Sequence, residues 1–228
     1  MGEVIGRAFS LIFTLDAEVY EIIGLTLVVT FFSTLISCAL GIGLGVVLGS
    51  CGNFPGKAMI VRLINTCMGL PPVVVGLIVF LLLSREGPLG SLELLFTPGA
   101  MIIAQTLLIT PIVCGLTLGA VRLKVDALYE TCLGLKMSKA QMLWLVLCES
   151  KSAVISAALA GYGRAISEVG AINMVGGNIL GKTRVMTTAI MLETGKGNFE
   201  MSLALGLILL LLSFLINWMV QKLQGVSG

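Results

Sequence analysis

The chain has 228 residues, 57% of them hydrophobic and 11% charged, with a mean hydropathy of +1.07, which marks an integral membrane protein rather than a soluble globular domain. A span takes about 20 apolar residues, so about five or six spans leave no stretch long enough for a fused ATPase, kinase or ligand-binding domain. The balance of 14 Lys and Arg against 12 Asp and Glu gives no polybasic face for nucleic acid, and the absence of His removes the commonest metal ligand and general base.

In chain order, segment 1–19 carries Glu3, Asp16 and Glu18 around a short apolar run, where a cleavable signal would lead with positive charge. The first span is therefore expected to direct insertion. Residues 5–14 are too short to cross and read as an interfacial helix or as an extension of the first span. Apolar runs bounded by charges and glycines predict spans near 20–49, 59–83, 99–121, 152–176 and 201–221. In the first, Gly41, Gly45 and Gly49 recur every fourth residue, a stripe that lets another helix backbone approach closely. In the second, Gly69-Leu70-Pro71-Pro72 removes amide donors and frees carbonyls that lipid cannot satisfy. That break is either a kink that shapes packing or a direct part of a path, and Pro111 repeats it more mildly in the third span.

Between the third and fourth spans, Leu123 to Ser150 reads as a helix-turn-helix. Asp126 caps a short helix over Ala127 to Leu133, Gly134 ends it in a left-handed conformation, and Ser138 with Gln141 forms a capping box for the next helix. With Leu128, Leu133 and Met137 among basic residues, the segment is either a surface for a soluble partner or a loop lying on lipid headgroups. In the fourth span Arg164 and Glu168 share a face four residues apart, which suits a structural ion pair and a place on a transport path equally. Gly176 to Thr183 fits the phosphate-loop pattern letter for letter. It follows a membrane span rather than a buried strand, so it is read as a glycine-rich break leading into Thr183 to Glu193, not as a nucleotide site. The cysteines at 38, 51, 67, 114, 132 and 148 show no metal-ligand spacing and read as small packing residues, so no metal or other cofactor is expected.

Charge bias orients the set. With the C-terminus inside, the cytoplasmic segments hold eight basic residues (Lys57, Arg62, Arg122, Lys124, Lys136, Lys139, Lys151, Lys222) against three acidic ones, and the outer segments hold five basic against eight acidic. This predicts N-out, C-in, with Trp218 and Lys222 as a cytoplasmic interface anchor.

Several stretches together then resemble one family. Leu70-Pro71-Pro72-Val73-Val74-Val75-Gly76, Gly87-Pro88-Leu89-Gly90, Leu95-Phe96-Thr97-Pro98 and Ala104-Gln105-Thr106 resemble the permease subunits of binding-protein-dependent ABC importers for molybdate, tungstate and sulfate. Gly163-Arg164-Ala165-Ile166-Ser167-Glu168-Val169-Gly170-Ala171, continuing to Met174-Val175-Gly176-Gly177-Asn178, looks most like the tungstate branch. The family's coupling motif, Glu-Ala-Ala followed by Gly six residues after the glutamate, is similar to Glu130-Thr131-Cys132-Leu133-Gly134, where glycine comes four residues after. Anchoring on Glu130 puts Lys136 at the glycine position, and anchoring on Gly134 puts Leu128 at the glutamate position.

The resemblance implies an all-α integral membrane protein of about five transmembrane helices with the ABC importer permease fold. It divides into an N-terminal interfacial segment, 1–19, and a permease domain, 20–222, whose cytoplasmic coupling segment is 123–150. Coupling to an ATPase would fall to Asp126, Glu130, Leu133, Gly134 and Ser138, and the path or gate to Pro71, Pro72, Arg164, Ser167 and Glu168. The implied partners are a second copy of the chain, cytoplasmic ABC ATPase subunits, an extracytoplasmic oxyanion-binding protein and membrane lipid. The chain itself would conduct tungstate, or molybdate, across the cell membrane without performing chemistry. A secondary transporter or channel for a small anion, needing no ATPase, is the alternative; proton coupling usually uses intramembrane acids, and Glu168 is the single one, already provided with an arginine.

Overall fold

The computed structural model describes residues 17–52 and 54–223. The expected interfacial helix at 5–14, and most of segment 1–19, lie outside the described residues. Those described form nine α-helices and no strand: α1 (Ala17–Ser50), α2 (Lys57–Met68), α3 (Pro72–Leu83), α4 (Pro98–Gly134), α5 (Lys139–Glu149), α6 (Lys151–Ile166), α7 (Gly170–Gly176), α8 (Met186–Gly195) and α9 (Phe199–Leu223), with a short 3-10 turn at Gly90–Leu92. Three helices, α1, α4 and α9, are long and apolar enough to cross a membrane on their own, and the count reaches five if the broken pairs α2–α3 and α5–α6 each make one span.

Two expected spans are thus not single helices. The span at 59–83 is interrupted at Gly69–Pro71, and Pro72 is the first residue of a new helix, where its missing N–H is no loss and its fixed φ is already helical. The span at 152–176 stops at Ile166 and restarts at Gly170, while α5 and α6 are bent by 66° at Ser150. The third departs in the opposite sense. It runs on as α4 to Gly134, with Pro111 inside it, because nothing between Val121 and Leu133 is a glycine or proline that would break it.

The chain divides into two compact units, one of residues 34–70 and 106–162, the other of the described residues up to 33, 71–105 and those from 163 onward. In the first unit the glycine stripe of α1 lies against α4 as its spacing predicts. A Cβ at Gly41, Gly45 or Gly49 would sit 2.9 Å from Val113 Cβ, 2.7 Å from Thr117 Cβ and 2.7 Å from Val121 Cγ1. The small residues allow the helices to meet backbone to backbone, where dispersion rather than hydrophobic exclusion holds membrane helices together. Gly45→Val should push them apart and lower stability by roughly 1 to 3 kcal/mol. Gly43→Val, at a position with no neighbouring atom within 4 Å, should leave the thermal unfolding midpoint in detergent unchanged, and equal midpoints for the two variants would refute the contact.

In the second unit Val19, Ile22, Met186, Ala189 and Leu205 form a core shared by α1, α8 and α9. Thr26 on α1 accepts a hydrogen bond from the Met186 N–H at 2.9 Å, and the Thr188 hydroxyl accepts one from Val185 N–H at 3.2 Å, so the first turn of α8 is capped from two sides. The turn that joins α8 to α9 is charged. Lys196, hydrogen-bonded to Glu193 at 2.7 Å, holds that carboxyl below the usual carboxylate range, and Asn198 adds a second donor at 2.9 Å. The opposite end of α9 places the Lys222 ammonium 5.3 Å from the Trp218 ring centroid, a cation–π contact.

Candidate functional site

The break between α6 and α7 gathers the polar residues of an otherwise apolar region. Arg164 lies in the last turn of α6 and Glu168 just precedes α7, so the cation faces the negative end of one helix and the carboxylate the positive end of the next. Arg164 Nη2 is 3.0 Å from Glu168 Oε2, and the carboxylate's other oxygen accepts the Ala171 N–H at 3.1 Å. The expected pair therefore forms, across a break between two helices rather than along one helical face.

The break is held in place from several elements. Glu168 N–H donates to the Ala165 carbonyl at 3.2 Å, and the same carbonyl accepts the Gln105 side-chain amide of α4 at 2.8 Å. Gln105 Oε1 in turn accepts the Ser33 hydroxyl of α1 at 2.7 Å. On the far side the Thr187 hydroxyl of α8 donates to the Glu168 carbonyl at 2.8 Å. These bonds satisfy backbone groups that the missing helical turn leaves unpaired, a requirement where water is scarce. The Ser167 hydroxyl bonds back to the Gly163 carbonyl at 2.8 Å and remains exposed.

Among the expected path residues, Arg164, Ser167 and Glu168 come together, and the Pro71–Pro72 start of α3 meets the start of α7. A Cβ on Gly170 would lie 3.0 Å from Val73 Cγ2, and one on Gly76 would lie 2.8 Å from Ala171 Cα. Ser33 and Thr187 carry no signal in the sequence, and Gln105 enters its reading only within the stretch Ala104-Gln105-Thr106, with no role at this break. Gln105 alone left a signal, as the single amide side chain of an apolar span.

The segment expected to couple with a partner is built differently from its sequence reading. Asp126 caps no new helix; it lies within α4, exposed like Glu130, Leu133 and Gly134. Gly134 is still helical, and Lys136 takes the left-handed conformation, with φ 50. Met137 N–H reaches back five residues to the Cys132 carbonyl at 3.0 Å and Lys136 N–H three residues to Leu133 at 3.0 Å, the nested pair of bonds that closes a helix ending through a left-handed residue. The glycine position of the coupling motif, counted from Glu130, is thus the one whose backbone favours glycine, although lysine occupies it. The second half stands as expected: Ser138 Oγ accepts Gln141 N–H at 3.3 Å while Ser138 N–H donates to Gln141 Oε1 at 2.8 Å. Lys136→Gly should stabilise the turn by about 1 kcal/mol, the strain of a left-handed side chain. Slower hydrogen exchange over 133–141 is the expected reading, and unchanged exchange would mean that the turn carries no such strain.

The phosphate-loop pattern folds around its own side chain. Gly177 and Gly181 both have φ near +71, and the Thr183 hydroxyl donates to the Gly176 carbonyl at 2.6 Å while accepting Ile179 N–H at 3.0 Å. Thr183 is fully buried and fills the turn from within, so the loop acts as a break that reverses the chain between α7 and α8.

Residues 41–224 match the family described as "Binding-protein-dependent transport system inner membrane component". Among curated relatives, the chain is 41% identical over 224 residues to the "Tungstate uptake system permease protein TupB" of Peptoclostridium acidaminophilum, covering 98% of each chain. It is 42% identical over 210 residues to the "Probable anion ABC transporter permease protein" of Haloferax volcanii, covering 89% of this chain and 90% of that one. A more distant likeness, 26% over 203 residues, is to the "Sulfate transport system permease protein CysW" of a Synechocystis strain, covering 83% and 73%.

Proposed function

This chain belongs to the family of binding-protein-dependent transport system inner membrane components, and from that premise we propose that it is the permease subunit of an ABC importer for a tungstate-type oxyanion. The observation that carries the substrate class is the 41% identity, over 98% of both chains, to a tungstate uptake permease. The chain is a multi-pass protein of the plasma membrane, and it supplies the path while a separate ATPase hydrolyses ATP. Two copies enclose the path, lipid covers the apolar outer faces such as that of α9 with Leu210, Leu211, Phe214 and Trp218, and a loaded binding protein delivers substrate from outside. The orientation is N-out, C-in, supported by the excess of basic residues in the segments then inside.

Within this reading the path or gate runs past Pro71, Pro72, Arg164, Ser167 and Glu168, and the ATPase docks on Asp126, Glu130, Leu133, Gly134 and Ser138. The support is physical. Irregular backbone at Gly69–Pro71 and Ser167–Val169 is tolerated at membrane depth only beside protein or a water-lined cavity, and the end of α4 presents exposed side chains on a firmly capped turn.

Reconstitution with the cognate ATPase and binding protein should give ATP-dependent tungstate uptake that disappears when either partner is left out. Uptake by the chain alone, driven by an ion gradient, would return it to the secondary transporters.

A further inference from the structure

Arg164 and Glu168 are neutral as a pair but not as a surface. The Glu168 side chain is 3% exposed and the Arg164 side chain 34%. The carboxylate is turned inward and cannot swing out without losing the Ala171 N–H, while its backbone is tied to Ala165 and Thr187. The guanidinium has five N–H donors, and Glu168 is its one polar partner among the described residues. The open side of the break thus presents cationic donors and hides the counter-charge.

No other charge competes with it in these segments. Residues 63–84, 98–121 and 152–181 contain no Asp, Glu, Lys or Arg besides this pair. Within these three segments the pair therefore offers one part-exposed positive group and no exposed negative one.

We propose, building on the permease reading above, that Arg164 is the residue that contacts the permeating oxyanion and selects for negative charge, and that Glu168 is a positioning residue that keeps this contact weak. A planar guanidinium offers a tetrahedral oxyanion two parallel N–H donors. Left alone at low dielectric it would hold a dianion, whereas transport requires an interaction strong enough to admit the ion and weak enough to release it. The buried carboxylate supplies that attenuation while lying out of the ion's reach.

The test uses the assembled transporter in membrane vesicles, with the six native cysteines replaced and Ser167→Cys introduced as a reporter beside Arg164. The rate of thiol modification is compared between a sulfonate-bearing and a quaternary-ammonium methanethiosulfonate of similar size, each rate divided by that reagent's rate with a small thiol in solution. Arg164 raises the thiolate fraction for both reagents alike, so their rate ratio isolates the field felt by the incoming ion. The anionic reagent should react roughly tenfold faster. Arg164→Gln should bring the ratio to about one, Arg164→Lys should retain most of it, Glu168→Gln should raise it further, and millimolar tungstate should slow the anionic reagent only while Arg164 is present. If the cysteine-free chain assembles poorly, the same ratio is read in the native background after subtracting the labelling of the unmodified parent. Equal rates with Arg164 in place, a ratio untouched by Arg164→Gln, or no labelling by either reagent with or without ATP would each overturn the proposal. The outcome is separable from the permease reading, because uptake with partners can stand while the ratio vanishes, and the ratio can stand where the chosen partners give no uptake.

Discussion

Arg164→Ala should destabilise the chain by roughly 3 to 5 kcal/mol, because it leaves a carboxylate that is sealed from water without its counter-ion. Glu168→Ala should be milder. The arginine it orphans is 34% exposed and can turn to water, so the loss is the uncapped Ala171 N–H plus part of the pairing, about 1 to 2 kcal/mol. The double change removes both charges together and should cost less than Arg164→Ala alone. Thermal unfolding in detergent of the two single variants and the double variant measures this as a coupling energy. Strictly additive losses, or equal losses for the two single variants, would mean that the pair carries no stabilising interaction of the kind the burial asymmetry implies.

The features legible in the sequence are those whose causes are local. A glycine every fourth residue defines a helical stripe whatever it packs against, and Gly41, Gly45 and Gly49 do pack against Val113, Thr117 and Val121. Ser138 and Gln141 close a box over three residues, and Arg164 and Glu168 pair over four. Hydropathy hid the break after Ile166, because it reads composition, and Ala165-Ile166-Ser167-Glu168-Val169 is nearly as apolar as its flanks. That break depends on groups far away in sequence, Gln105 at 60 residues from Ala165 and Thr187 at 19 from Glu168. No window of ten residues contains either pair, and one of twenty reaches Thr187 from Glu168 only end to end. The end of α4 departs from its expected place for a different reason. Gly134 is the residue with the strongest intrinsic preference for a left-handed stop, yet the closing bond from Met137 to Cys132 fixes the stop two residues later, at a lysine. Propensity ranks residues for a conformation, and the hydrogen-bond register decides which position must adopt it.

That shift turns Gly134→Trp into a clean probe of the coupling surface. Gly134 is helical rather than left-handed, and a Cβ built there meets nothing within 4 Å beyond its own chain neighbours and helix backbone, so a side chain should start there without strain and with better helix propensity than glycine. The spans should insert and the unfolding midpoint should hold. If the end of α4 enters a groove on an ATPase, however, a ring of that size on the exposed face beside Glu130 and Leu133 must clash with the groove wall. Co-purification of the ATPase should then be lost, and with it the hydrolysis stimulated by loaded binding protein. Glu130→Lys tests the same surface by charge. Reversing a rim carboxylate should slow association, more at low salt than at high, if a basic residue faces it. A Gly134→Trp chain that keeps its ATPase and its stimulated hydrolysis at parental levels would exclude residues 126–139 as the coupling element. Leu133, Leu135 and Trp144, all exposed, would then be read as the apolar side of a segment resting on lipid headgroups, with Lys136 and Lys139 directed to their phosphates.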